Sequence, residues 1–260
     1  MKKTLNFLTF ATLASILGVP ALSGAVVGTL SGDNLPEANV IEAPNTLTND
    51  ALFTTVVFAD TNWIAEDGFI KMTTAPIRGI WFGSHPTSGS DAGAFLPGST
   101  SDGNKLALSS LITPDSTAWA AYFRDTDGYR GRIDFESTDN GENRPGVTVE
   151  LASGWVSVGG PSFDLSQLHD YEIHLHEGIV AYSINGTEVA RGAALQPLEA
   201  ASVLVGDPTG STPTGSGSMW IDSFSFDNAA GALAPVPEPG ATSLILGLSA
   251  ALALSRRRRR

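Results

Sequence analysis

The chain has 260 residues, no cysteine, 28 glycines and a formal net charge of −12. The absence of thiols excludes disulfides, thiolate zinc sites and cysteine nucleophiles. Seven of the 15 basic residues lie in the two ends, so residues 26–235 carry 8 basic and 26 acidic groups, a charge of −18 (8 − 26), which excludes the positive footprint of a nucleic-acid partner and suits solubility or cation binding.

Residues 1–25, MKKTLNFLTFATLASILGVPALSGA, have the three parts of a secretory signal peptide. Lys2 and Lys3 form a positive start, Leu5 to Val19 an apolar stretch, and small residues offer cleavage after Ala21, Ser23 or Ala25. Residues 26–50 are polar, turn-rich and aperiodic, and are expected to form an extended leader.

Residues 51–228 read as one β-rich domain. Short β-like runs are cut by turn signals: LFTTVVFAD, GFIKMT, IRGIWFG, KLALSSL, AWAAYFRD, YRGRIDFES, GVTVELA, YEIHLH, IVAYSI, TEVAR and SMWIDSFSFD. No segment sustains apolar residues at helical spacing, apart from a turn near SQLHD. The clearest signal is YEIHLHEGIVAYSINGTEVARG, residues 171–192. Alternation puts Tyr171, Ile173 and Leu175 on one face and Glu172, His174 and His176 on the other. Glu177-Gly178 makes a tight turn, and Asn185-Gly186 is a type I′ hairpin turn. Asn185-Gly186-Thr187 also matches a glycosylation sequon, but turn chemistry accounts for it without a sugar.

Several residues are candidates for chemistry. In FRDTDGYRG, Asp125 and Asp127 offer oxygens to calcium, a candidate cofactor, although a hairpin turn at Asp127-Gly128 accounts for the same residues and is the favoured reading. His174 and His176, two apart on a strand face, have metal-sharing spacing or are exposed strand histidines. Trp63, Trp81, Trp119, Trp155 and Trp220 could stack on sugars or fill the core, and those in GIWFGS and SMWIDSF are expected to be buried.

Residues 229–235 read as a linker. Residues 236–260, VPEPGATSLILGLSAALALSRRRRR, combine Pro237-Glu238-Pro239, a charge-free run from Ala241 to Leu254, and Arg256, Arg257, Arg258, Arg259 and Arg260. The prolines give a stiff accessible segment. The run has 14 residues, short against the roughly 20 of a full span. The arginines stop translocation on the cytoplasmic side.

This tail resembles the PEP-CTERM sorting signal of Gram-negative bacteria, also called the ice-binding protein C-terminal domain, a label that does not imply ice binding. The resemblance implies one short C-terminal transmembrane helix, processing by an exosortase-type enzyme, and an inner-membrane intermediate on the way to the cell envelope, surface or extracellular matrix. The meander at 171–192 and the closing GSMWIDSFSF resemble concanavalin A-like sandwiches, including laminin-G-like domains and laminarinase-type glycoside hydrolases. The implied fold is all-β, a two-sheet jelly roll.

GRIDFES, residues 131–137, resembles the laminarinase-type catalytic strand, with Asp134 and Glu136 at its second and third acids. Arg132 stands where that family has its nucleophile. A guanidinium cannot attack an anomeric carbon, and its charge would lower the pKa of Asp134 and Glu136, the wrong direction for a general acid. No catalytic residue is therefore assigned. The reading is an exported, non-enzymatic β-sandwich with polysaccharide as its expected partner. Its rivals are a carbohydrate-active enzyme on the same fold and a structural surface protein without a ligand.

Overall fold

The computed structural model describes residues 26–31, 40–41, 54–57, 62–74, 80–84, 97–113, 119–136, 146–159, 162–207 and 217–235. The expected signal peptide and the sorting tail, with Pro237, Glu238, Pro239 and Arg256 to Arg260, lie outside the described residues.

Among the described residues sixteen strands follow in order: β1 (Val26–Ser31), β2 (Val40–Ile41), β3 (Thr54–Val57), β4 (Asn62–Glu66), β5 (Phe69–Thr74), β6 (Ile80–Ser84), β7 (Asn104–Ile112), β8 (Trp119–Arg124), β9 (Arg130–Glu136), β10 (Gly146–Leu151), β11 (Gly154–Ser157), β12 (His169–His176), β13 (Ile179–Ile184), β14 (Thr187–Ala193), β15 (Ser202–Asp207) and β16 (Gly217–Asp227). Among the described residues there is no helix, hence none long and apolar enough to cross a membrane.

The strands form two eight-stranded sheets. The first runs β14-β13-β12-β7-β16-β5-β4, with β1 also on β16. The second runs β11-β10-β9-β8-β15-β6-β3-β2. Every pair is antiparallel except β2 with β3. The all-β, two-sheet sandwich expected from the alternation is what forms. β16 is long enough to hold two neighbours on one edge: β5 pairs with Gly217 to Ile221, and β1 with Ser223 to Asp227.

Period-two patterning builds the core. Tyr171, Ile173 and Leu175 of β12 are buried as expected, as are Leu106, Leu108 and Ile112 of β7. They pack against Trp119, Phe123, Ile133 and Phe135 of the second sheet in one cluster. Edge-on ring pairs join the sheets: Phe123 meets Phe226 at 5.1 Å and Phe135 meets Tyr171 at 4.7 Å. In β16 the register against β7 shifts between Ile221 and Ser223. This bulge resets the alternation, so Met219, Ile221, Phe224 and Phe226 all face inward. Trp220 therefore lies on the outer face, half-buried under Lys71, whose Nζ is 4.3 Å from the ring centroid. The expectation that Trp220 fills the core is corrected; Trp119, 0% exposed, does so.

The turns follow their residues. Glu177-Gly178 (φ 49° and 73°), Asn185-Gly186 (51° and 74°) and Asp67-Gly68 (53° and 80°) all have the double positive φ of a type I′ hairpin. The Asn185 amide is fully engaged: its Oδ1 accepts from the Asp170 N–H at 3.0 Å, and its Nδ2 donates to His169 Nδ1 at 3.0 Å.

Sheet pairing extends to the N-terminal side of residues 51–228, and backbone hydrogen bonds extend to the C-terminal side. The leader supplies β1 and β2. Residues 229–235, read as a linker, lie against the first sheet. The Ala230 and Gly231 N–H groups donate to Gly103 O (3.1 Å) and Asp102 O (2.9 Å). His174 Nε2 donates to Gly231 O at 3.1 Å, and Arg191 Nη2 to Ala234 O at 3.0 Å. The approach is so close that a Cβ on Gly103 would lie 2.2 Å from Gly231 O.

Candidate functional site

In β8, β9 and β15 the residues that alternate with the core turn outward. Ala120, Tyr122 and Leu204 form a small buried cluster there, separate from the main core. Register places Leu204 opposite Tyr122, Tyr122 opposite Arg132, Asp134 opposite Thr148, and Glu150 opposite Trp155. Residues far apart in sequence thus form one row across five neighbouring strands.

The face concentrates three of the body's eight basic residues. Arg132 grips Asp134 with two bonds, Nε to Oδ1 at 2.6 Å and Nη2 to Oδ2 at 3.0 Å. Arg130 grips Glu150 in the same way, at 2.6 and 2.7 Å. Arg124 pairs with Glu199. Asp134 is 3% exposed and Glu150 5%, so these are ion pairs largely out of water. The Arg132 guanidinium also sits 5.7 Å from the Tyr122 ring and 5.3 Å from the Trp155 ring, cation–π geometry on both sides. Burial disfavours the charge on Arg132, but Asp134 and Glu150 outweigh it and raise its pKa. Burial likewise pushes the Tyr122 phenol up, against the pull of Arg124, Arg132 and Arg130.

Beneath this row a tyrosine from the other sheet crosses the core. The β9–β10 register ends at Ile133 opposite Val149, and its next pair would be Arg132 with Glu150. Those two backbones instead meet the Tyr182 hydroxyl, which donates to Glu150 O at 2.6 Å and accepts from the Arg132 N–H at 3.1 Å. Beyond this point the Arg130 N–H turns to Leu195 O at 2.8 Å. Gly131 permits the approach to the first sheet, since a Cβ there would lie 2.4 Å from Ile173 Cγ2.

Of the residues expected to carry chemistry, Arg132 and Asp134 meet as a salt-bridged pair on one strand face. Glu136 closes β9, and its side chain lies outside the described residues. Each arginine has five N–H donors, and Arg130 and Arg132 each give two to their carboxylates. Thr148 Oγ1, Ser202 Oγ and Arg124 Nε are also buried without a partner among the described residues. Arginine donors held beside a half-buried indole are groups that can bond sugar hydroxyls and stack on a sugar ring.

Asp125 and Asp127 lie in the β8–β9 hairpin turn. Asp125 Oδ1 accepts from the N–H groups of Asp127 (3.0 Å) and Tyr129 (2.8 Å), and Asp127 Oδ2 from the Thr100 N–H (2.7 Å). Gly128 takes the left-handed position, φ 84°. Among the described residues no group of three or more His, Asp or Glu side chains is arranged to hold a metal. Asp125 is 0% exposed, and its Oδ2 has no partner among the described residues. Burial pushes its pKa up to about 6, opposed by the backbone N–H donors and assisted by the charge of Asp127.

A raised folded-state pKa favours the protonated acid, so the stability it contributes is present below about pH 4 and is lost as pH rises through about 6. Asp125→Asn keeps the Oδ1 acceptor and removes the charge. The variant is expected to match the native chain at pH 4 and to melt several degrees higher at pH 7.5. Melting curves across that range check it, and a parallel offset at both pH values would refute the buried-charge account.

The sequence pointed to Arg132, Asp134 and, among five candidates, Trp155. It missed Tyr122, Glu150 and Tyr182, for which cross-strand register is the deciding signal. No family model and no curated protein matches this chain. Several solved structures align with part of it. An endo-acting O-glycanase of the human gut microbiota aligns at TM-score 0.48 and 14% identity, over 78% of this chain and 99% of that one. A Thermotoga petrophila laminarinase catalytic domain aligns at 0.45 and 11%, over 78% and 97%. A Caenorhabditis elegans galectin aligns at 0.34 and 15%, over 51% and 88%. Likenesses at this level leave both the architecture and the chemistry to be read from the residues of this chain.

Proposed function

We propose that this chain is an exported, non-enzymatic glycan-binding β-sandwich, addressed to the cell envelope or extracellular matrix by its PEP-CTERM-like tail and an exosortase-type enzyme. The observation that carries the binding half is Arg132 set between the Tyr122 and Trp155 rings and anchored on Asp134. Trp155, half-buried, offers stacking area, the buried Tyr122 ring braces Arg132, and the ion pairs hold arginine donors in place before any ligand arrives. The non-enzymatic half rests on Arg132 standing where a nucleophilic carboxylate would be needed, with both Asp134 oxygens bonded to it.

Charge selects among glycans. Among the described side chains of the face, three arginines pair with Asp134, Glu150 and Glu199 and their charges cancel. The surrounding body carries −18 (8 − 26). That field repels polyanions, so the expected ligands are neutral polysaccharides.

The full-length chain is expected to bind at least one of laminarin, dextran and galactomannan, and to bind alginate more weakly, in calcium or in EDTA, without releasing reducing ends. Trp155→Ala is expected to weaken that binding about tenfold, measured by titration calorimetry or affinity electrophoresis. New reducing ends abolished by Asp134→Asn and Glu136→Gln would establish the enzyme instead, and no binding to any glycan would favour the structural protein.

A further inference from the structure

The loop between β14 and β15 displays a leucine where neither burial nor backbone preference calls for one. Leu198 is 81% exposed, against 38–46% for the other exposed large apolar residues, Ile179, Ile64 and Leu168, among those described. Its φ is +58°, in the left-handed region that costs free energy for any residue with a Cβ. The other non-glycine residues with positive φ, Asp67, Glu177 and Asn185, each precede a glycine in a hairpin turn that demands this conformation. Leu198 precedes Glu199 and serves no such turn. A lone exposed leucine is unremarkable by itself; an exposed leucine in a strained conformation on a braced loop is not.

The loop is braced at both ends. Leu195 O accepts from the Arg130 N–H at 2.8 Å, and Gln196 Nε2 donates to Asp127 O at 2.9 Å. Glu199 pairs with Arg124, whose guanidinium lies 5.3 Å from the Tyr122 ring. Gly128 makes room beneath, since a Cβ there would lie 3.3 Å from Leu198 Cα. Leu198 is thus joined by one residue and one ion pair to the aromatic row, at the end away from Trp155. Tyr122 and Trp155 are themselves three strand spacings apart, about 14 Å.

We propose that Leu198 is a ligand contact: the aliphatic rim of the arginine–aromatic face, packing against the apolar face of a sugar several units along a chain from the one at Trp155. This rests on the glycan-binding reading of that face and narrows it to oligosaccharide chains over single sugars. Strain held at an exposed residue by surrounding bonds is a feature of ligand clamps, and an aliphatic side chain there offers a sugar ring a dry surface without an added charge.

The test uses the full-length chain with Leu198→Gly, Leu198→Asn and Leu198→Met, and the neutral glucan that the native chain binds best. Glycine and asparagine suit positive φ, so both variants are expected to melt at or above the native temperature while losing at least fivefold in affinity. Leu198→Met keeps the aliphatic bulk and is expected to retain affinity within twofold. A leucine needed only for folding predicts the reverse, lower melting temperatures with unchanged affinity, and that result would overturn the proposal. Native-like affinity in the Gly and Asn variants would overturn it alone, leaving the glycan site standing. Failure of the native chain to bind laminarin, dextran, galactomannan or any other glycan would remove the glycan reading and the contact together.

Discussion

Tyr182→Phe is expected to lower the unfolding free energy by about 3 kcal/mol and the melting temperature by roughly 6–12 °C, although it deletes a single oxygen. The phenol ring is buried in the core and its hydroxyl serves two backbone groups of the opposite sheet, Glu150 C=O and Arg132 N–H. Those groups face each other where the β9–β10 ladder has ended. Removing the hydroxyl leaves both without a partner in a place that is 0% exposed at Tyr182, and each orphaned group costs its desolvation. The ring itself still packs, so the loss reports the bonds and not a cavity. Burial also pushes the Tyr182 phenol pKa upward, which keeps the donor protonated across physiological pH. Urea unfolding checks the magnitude. Amide exchange at Arg132 checks the location, since that amide should lose protection more than its neighbours. A cost below about 1 kcal/mol would mean that β9 and β10 close the gap unaided.

Arg130→Met is expected to cost about 3 kcal/mol, because it strands Glu150 with its strongest partner gone. Glu150 keeps 5% of its surface exposed and spends both carboxylate oxygens on Arg130. Methionine preserves much of the aliphatic stem, so the loss measures the uncompensated charge rather than the missing packing. The double variant Arg130→Met/Glu150→Gln should recover most of the stability, since an amide is far cheaper to bury than a carboxylate. If the double variant is as unstable as the single one, packing around the Arg130 stem and not charge is what the pair supplies. Both residues belong to the outer face and Glu150 pairs opposite Trp155, so unfolding of the ligand-free chain is the readout.

Both effects arise where the two sheets meet the outer face. The Arg132–Asp134 grip was legible in YRGRIDFES, because period two puts residues two apart on one face of one strand. The hairpins at Glu177-Gly178 and Asn185-Gly186 were legible because few residue pairs accept two positive φ values in succession. Strand β15 was not, since Ser202–Asp207 is buried at every position and so shows no alternation. β11, four residues on a sheet edge, and β1 and β2, in a turn-rich leader, carry too short a pattern to read. The bulge in β16, which sends Trp220 outward, depends on pairing with β7.

The amino-acid sequence by itself determined an all-β, thiol-free, acidic body whose strands alternate and whose ends have the form of export and sorting signals. It did so because these properties are local: charge, period and turn chemistry are set within a few residues. Only the tertiary structure decided that Tyr122, Glu150 and Trp155 join Arg132 and Asp134, that Tyr182 reaches beneath them from the other sheet, and that Leu198 stands at their rim. Those contacts depend on strand order and register, which arise when two sheets bury their inner faces against each other, and no stretch of contiguous residues encodes that choice.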